Sequence, residues 1–131
     1  MKYGISNLSI VPMRLNPSDK SEMINQMLFG EQYEILEIRE KFSKIRLSHD
    51  GYEGWICNKQ LVEIGKSYYD ILLHSDKKYT TNVFDVIESS NILQSIVKGS
   101  VIYSSSSSEF IFNDIKYTFQ GPLDNFQKKE M

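Results

Sequence analysis

The chain has one cysteine, two histidines and no apolar run near the ~18 residues that would span a bilayer. Each shortage closes off a class of protein. A single cysteine, Cys57, forms no internal disulfide and fits a reducing compartment. No Cys/His/Asp cluster has metal-ligand spacing, and no glycine-rich phosphate loop follows a strand, so no metal or cofactor is expected. Lys and Arg number 15 against 17 Asp and Glu, for a net charge of −2. The signs are interleaved, as in Glu37-Ile38-Arg39-Glu40-Lys41, which gives no electrostatic footprint for nucleic acid. The first residues, Met1-Lys2-Tyr3-Gly4-Ile5, carry no signal-peptide core. A cytoplasmic location without membrane attachment is the expectation.

What is present is β-type sequence, interrupted once. Phe42-Ser43-Lys44-Ile45-Arg46-Leu47 alternates in the period of a half-buried strand, and Asp50-Gly51 follows as a turn signal. Gly54-Trp55-Ile56 then returns as the partner strand and holds the only tryptophan. In residues 32–39, Tyr33 and Ile35 share one phase while Leu36 and Ile38 share the other. That slip predicts a bulge. Residues 22–29 read as a strand ended by Gly30, and residues 61–64 as one more short strand. Ser67-Tyr68-Tyr69-Asp70 has the form of a capping box, with Ser67 as the cap. It predicts a short helix over residues 66–74 with Tyr68, Ile71 and Leu72 on the packed face.

The second half is β again. Phe110-Ile111-Phe112 and Ile115-Lys116-Tyr117-Thr118-Phe119 flank an Asn113-Asp114 turn, preceded by the serine run 104–108. Met23-Ile24-Asn25-Gln26-Met27-Leu28-Phe29-Gly30 and Ile92-Leu93-Gln94-Ser95-Ile96-Val97-Lys98-Gly99 occupy corresponding places in the two halves, a weak internal repeat. The expected fold is all-β: two small SH3-like β-barrels joined by a short linker helix. Residues 1–64 would form the first barrel, 65–77 the linker, 78–122 the second barrel and 123–131 a further linker. Barrels of this size are marginal alone, so the two should pack together around the helix.

Catalytic equipment is sparse. Nucleophilic catalysis needs a thiol or hydroxyl with a base in reach. Cys57 follows the tryptophan on a strand, and His49 and His74 sit in a turn and at a helix end. An inert cysteine with two surface histidines is the expectation, with a Cys57–His49 pair as its alternative. Glu22 reads either as a solvated acid or as a ligand-binding group. Tyr52 reads either as a ring over the barrel end or as a second such group. Trp55 reads as the end-cap of the core or as a ligand platform.

The run Val11-Pro12-Met13-Arg14, then Pro17-Ser18, Ser21-Glu22-Met23, Leu28-Phe29-Gly30-Glu31 and Tyr52-Glu53-Gly54-Trp55 resembles the N-terminal bacterial SH3 (SH3b) domain of NlpC-type cell-wall peptide hydrolases. The likeness is to the subgroup in which two such domains precede a papain-like cysteine peptidase. It is good over residues 3–64 and weaker over 78–121. The resemblance implies an enzyme that cleaves the γ-D-glutamyl to diamino-acid bond of murein peptides bearing a free N-terminal L-alanine, in peptide recycling. The family's Asp-Cys-Ser-Gly nucleophile motif is absent here, so the chain itself is expected to be non-catalytic. Its expected partners are an NlpC-type catalytic domain of the same polypeptide, beginning near residues 127–131, and the murein peptide. By motif, the family's ammonium-binding acid and tyrosine fall on Glu22 and Tyr52, with Trp55 structural. A stand-alone SH3b module that binds peptidoglycan or a protein partner is the alternative.

Overall fold

The computed structural model describes residues 1–103, 109–112 and 114–125. The strands of the first half are β1 (Lys2–Ile5), β2 (Ile10–Arg14), β3 (Met23–Leu28), β4 (Gln32–Ile38), β5 (Phe42–Leu47), β6 (Glu53–Cys57) and β7 (Glu63–Ile64). A 3₁₀ turn, Asn58–Gln60, sits between β6 and β7. They form one antiparallel sheet in the order β3-β2-β6-β5-β4-β1-β7. The bulge expected in residues 32–39 is there: the β4–β5 register slips between Ile35 and Glu37. Beyond it Ile38 is exposed. β2 runs through Pro12 to Arg14. Of β2, only Arg14 pairs with β6, opposite Trp55, so little of the ladder needs a Pro12 donor.

The inner face of this sheet is a core of Val11, Met13, Met27, Tyr33, Ile35, Ile45, Leu47 and Ile56. Tyr33 is fully buried. Its hydroxyl donates to the Val62 carbonyl at 3.2 Å and accepts from the Val62 amide at 2.9 Å. That satisfies a phenol which would otherwise be costly to bury. Burial raises its pKa to about 12.

Helix α1 (Lys66–Leu73) follows. Its cap is Gly65 and not Ser67, with no side-chain capping bond, and Asp70 pairs instead with Lys66 at 2.8 Å. The packed face also differs from expectation. Tyr69 and Leu72 are buried, three residues apart on one face, while Ile71 is 63% exposed.

The second half has β8 (Lys78–Thr80), β9 (Phe84–Ser89), β10 (Ile92–Val97), β11 (Val101–Ile102), β12 (Glu109–Phe112), β13 (Ile115–Thr118) and β14 (Leu123–Asp124). They fall into a four-stranded sheet, β10-β9-β13-β12, and a three-stranded sheet, β11-β8-β14. Set end to end, these repeat the order of the first half strand for strand. Of the expected Asn113-Asp114 turn, Asp114 has φ +63°, while Asn113 and the serine loop 104–108 lie outside the described residues. β14 pairs with β8, so strand pairing continues past residue 122, where a linker was expected.

The internal repeat is legible in the hydrogen bonds. Ser6 N donates to Glu31 O, Gly30 N to Ser6 O, and Glu31 N to Leu28 O. In the second half Thr80 N donates to Ser100 O, Gly99 N to Thr80 O, and Ser100 N to Val97 O. Gly30 and Gly99 occupy matching left-handed positions, φ +84° and +93°. The halves share a core. Ile5, Phe29 and Ile64 of the first pack with Tyr69 and Leu72 of α1 and with Ile87, Ile96, Val101, Phe110 and Tyr117 of the second. At the seam, Val101 N donates to Phe29 O at 2.8 Å and the Tyr103 hydroxyl to Gly30 O at 2.5 Å.

Candidate functional site

The β2–β3 loop, residues 15–22, is tied down by its own polar atoms. Leu15 N donates to Glu22 O at 2.9 Å, and Asn16 N to Ser21 Oγ at 2.8 Å. Ser21 N donates to Ser18 O at 3.0 Å, and Arg14 Nη1 to Ser21 O at 3.0 Å. Ser21 thus fixes the backbone immediately before Glu22 from three sides. The Glu22 side chain is exposed, and among the described residues its carboxylate has no hydrogen-bond or ion-pair partner.

The β5–β6 turn approaches the same place. Gly51 adopts φ +75° and donates its amide to Leu47 O, while Tyr52 N donates to Asp50 Oδ1 at 3.0 Å. This folding of the turn sends the Tyr52 hydroxyl to the Ile24 carbonyl, 3.2 Å away and two residues past Glu22. The ring is 40% exposed. Glu22 and Tyr52, 30 positions apart in sequence, therefore stand on neighbouring elements of one rim. One offers an unengaged carboxylate and the other a phenol bonded to the chain two residues further on.

Among the described residues the second half has no counterpart of the 15–22 loop. β9 and β10 are joined by Ser90 and Asn91 alone, both at positive φ, as in a tight primed hairpin turn. The eight-residue loop that carries Glu22 has no equivalent there.

Trp55 belongs to neither core cluster. Its register partners are Lys44 and Arg14, so it stands on the outer face of the sheet, opposite Ile56. It is buried nonetheless, and the Arg39 guanidinium lies 4.7 Å from its ring centroid. Arg39 is in turn held by Glu37. The alternation of Trp55 with the core residue Ile56 is the signal that could have placed it. Arg39 had no local signal at all.

Cys57 pairs in register with Phe42, at the end of the β5–β6 hairpin opposite the turn that bears His49. About five residues of strand, roughly 16 Å, separate the two levels, so the structure does not bring them together. Among the described residues no group of His, Cys, Asp and Glu is placed to hold a metal ion. No helix among them is long and apolar enough to cross a membrane.

Between the halves lies a cavity of about 150 Å³ lined by Glu31, Gln32, Ser48, Lys77, Tyr79 and Tyr103. Lys77 donates to Leu73 O at 2.7 Å and Ser75 O at 3.2 Å, closing the C-terminal end of α1. Burial lowers its pKa.

A sheet closed by a long β2–β3 hairpin, with a 3₁₀ turn before the last strand, is an SH3-like arrangement. Residues 13–61 match the family described as "Bacterial dipeptidyl-peptidase Sh3 domain". That stretch of the first half is thus similar to a bacterial SH3 domain. Among solved structures, the chain is similar to an NlpC/P60 family protein from Bacillus cereus ATCC 10987. The TM-score is 0.70 at 10% identity, covering 95% of this chain and 56% of that one. The likeness in fold thus extends over nearly the whole chain, which spans little more than half of the protein it matches. No curated protein matches the sequence.

Proposed function

We propose that the chain is the non-catalytic substrate-recognition region of a murein-peptide cysteine hydrolase. The enzyme would cleave γ-D-Glu–diamino acid bonds in peptides with a free N-terminal L-alanine, during peptidoglycan recycling in the cytoplasm. Its partner is an NlpC-type catalytic domain of the same polypeptide. In this reading residues 1–64 form the first barrel, 65–77 the linker, and the second barrel runs from residue 78 through β14. Glu22 and Tyr52 receive the substrate ammonium, and Trp55 braces the outer face beneath Arg39.

The observation that carries this reading is the Tyr52–Ile24 hydrogen bond, which sets the phenol beside the Glu22 backbone. A peptide α-amine titrates near 7.7–8.0 and is mostly charged at neutral pH. An unengaged carboxylate can take a charge-assisted hydrogen bond from it. The phenol, already donating to a carbonyl, keeps its lone pairs free to accept a second. The test is kinetic, in the polypeptide that joins this region to its catalytic domain. Free and N-acetylated L-Ala-γ-D-Glu-diaminopimelate are compared for the parent, Glu22→Gln and Tyr52→Phe. Retention of the full preference for the free amine in Glu22→Gln would leave Glu22 a solvated acid and the proposal without support.

A further inference from the structure

The cavity of about 150 Å³ between the halves is built from three parts of the chain. Glu31, Ser48 and His49 come from the first half, Lys77 from the segment after α1, and Tyr79 and Tyr103 from the second half. Neither Glu22 nor Tyr52 lines it. Its walls are fixed by bonds made between protein groups. The Tyr103 hydroxyl donates to Gly30 O, Gln32 Nε2 donates to Tyr69 O at 2.9 Å, and the Ser48 and Tyr69 hydroxyls bond each other. The space is therefore preformed, as small-molecule sites usually are.

Its lining carries both charges. An ammonium has three N–H donors, and Lys77 spends two of them on Leu73 O and Ser75 O. The Lys77 nitrogen stands 5.8 Å from the centroid of the Tyr103 ring. Burial lowers its pKa, and Asp76 counters this only in part. Among the described residues no ion pair engages Lys77. The Tyr79 hydroxyl has no hydrogen-bond partner among them either. Glu31 is 3% exposed, and one oxygen of its carboxylate accepts from Leu28 N at 2.7 Å. A carboxylate accepts up to about four such bonds.

An ammonium and a carboxylate thus line one small space without pairing with each other. A simple anion would answer Lys77 and be set against Glu31, and a simple cation would do the reverse. A molecule carrying both charges answers both. Size narrows the choice further. An apolar cavity of about this volume holds benzene, a ligand of about six non-hydrogen atoms. Alanine is of that size, and the Tyr79 and Tyr103 rings offer its carbons an apolar wall.

We propose that this cavity binds a small free α-amino acid, of the size of glycine or alanine. The ligand's carboxylate bonds to the Lys77 ammonium and the Tyr79 hydroxyl, and its ammonium to the Glu31 carboxylate. Both halves and the tail of α1 contribute, so occupancy ties the halves together at their seam.

The full chain, isotope-labelled on its amides, is titrated at neutral pH with L-alanine and with glycine. Propionate and ethylamine, which each keep one of alanine's two charges, are the controls. The expected result is saturable amide shifts at Ser48, Lys77 and Tyr79 with both amino acids, with Kd of roughly 1–10 mM. Propionate and ethylamine should bind about tenfold more weakly or worse, each lacking one charge-assisted bond. Lys77→Met keeps most of the stem and removes the charge, and should weaken alanine by about tenfold or more. Tyr79→Phe should weaken it by about threefold, and serves should Lys77→Met fail to fold. Glu22→Gln should bind alanine as the parent does, which separates this cavity from the proposed ammonium rim. The absence of saturable shifts up to about 100 mM alanine would mean that the cavity takes water only, and overturns the proposal. So does propionate or ethylamine bound as tightly as alanine, or binding indifferent to Lys77→Met and Tyr79→Phe.

Discussion

The Tyr33 ring lies directly across Gly4. The two are register partners on β4 and β1, and a Cβ on Gly4 would stand 2.3 Å from Tyr33 Cε2 and Cζ. The glycine is what lets the ring reach the Val62 backbone.

Replacing Gly4 by Ala should therefore destabilise by about 3 kcal/mol, the upper end for overpacking, and lower Tm by roughly 10 °C. Tyr33→Phe should give no relief, because the clashing ring atoms remain. Tyr33→Leu should relieve it, so a double-mutant cycle with Gly4→Ala by urea denaturation should be less than additive. Full additivity would show that the ring moves aside freely.

Tyr33 also predicts alkaline behaviour. Its folded pKa of about 12 lies above the ordinary 10.0. Between those values the unfolded chain has lost this proton and the folded chain has kept it. The contribution is whole below pH 10 and disappears as pH rises toward 12, amounting to about 2–3 kcal/mol. Burial raises Tyr103 as well, so the measurement is the difference in urea midpoint between the parent and Tyr33→Phe, followed from pH 9 to 12. A constant difference across that range would refute the assignment.

Two glycines with similar dihedrals should behave differently. Gly30 and Gly51 have φ +84° and +75°. A Cβ on Gly30 would meet Val101 O at 2.4 Å, whereas one on Gly51 meets nothing within 4 Å. Gly51→Ala should cost about 1 kcal/mol, the backbone term alone. Gly30→Ala should cost at least twice that and disturb the seam, visible as amide shifts at Val101 and Tyr103.

At the proposed ammonium rim, Tyr52→Phe removes one bond at a half-exposed site. It should change stability by no more than about 1 kcal/mol. In the complete enzyme, Glu22→Gln or Tyr52→Phe should lower kcat/KM on free-amine peptide by about 10- to 100-fold, the equivalent of roughly 1.5–3 kcal/mol. Activity on N-acetylated peptide should barely move.

The chain alone should release no L-Ala-D-Glu from L-Ala-γ-D-Glu-diaminopimelate. Turnover that disappears in Cys57→Ala would overturn this.

The first half was largely legible because its signals are local. The Asp50-Gly51 turn, the phase slip after Ile35 and the alternation in residues 42–47 each name their own geometry. The repeat of 23–30 in 92–99 was visible for the same reason: both end in a glycine that a left-handed turn requires. What escaped depends on distant partners. Ser67 has the right chemistry for a cap, but the chain enters α1 with extended Gly65. Ile71 fits a helical stripe, yet the core shared by the two halves takes in Tyr69 and Leu72. The Arg39 contact with Trp55 joins the residue after β4 to β6, which no short window contains. The rim had a different limit. Motif order pointed to Glu22 and Tyr52, but only the fold of the 48–52 turn brings their elements together.

Phe29 sits at the end of β3 in one barrel and packs edge-on against Tyr117 of the other, with ring centroids 5.4 Å apart. A duplicated unit whose two copies lend each other core residues has given up the freedom to be shuffled. Cut at residue 65, each piece would bare a sticky apolar wound where its sibling had been. Recombination in such a lineage should therefore move the tandem as one indivisible cassette.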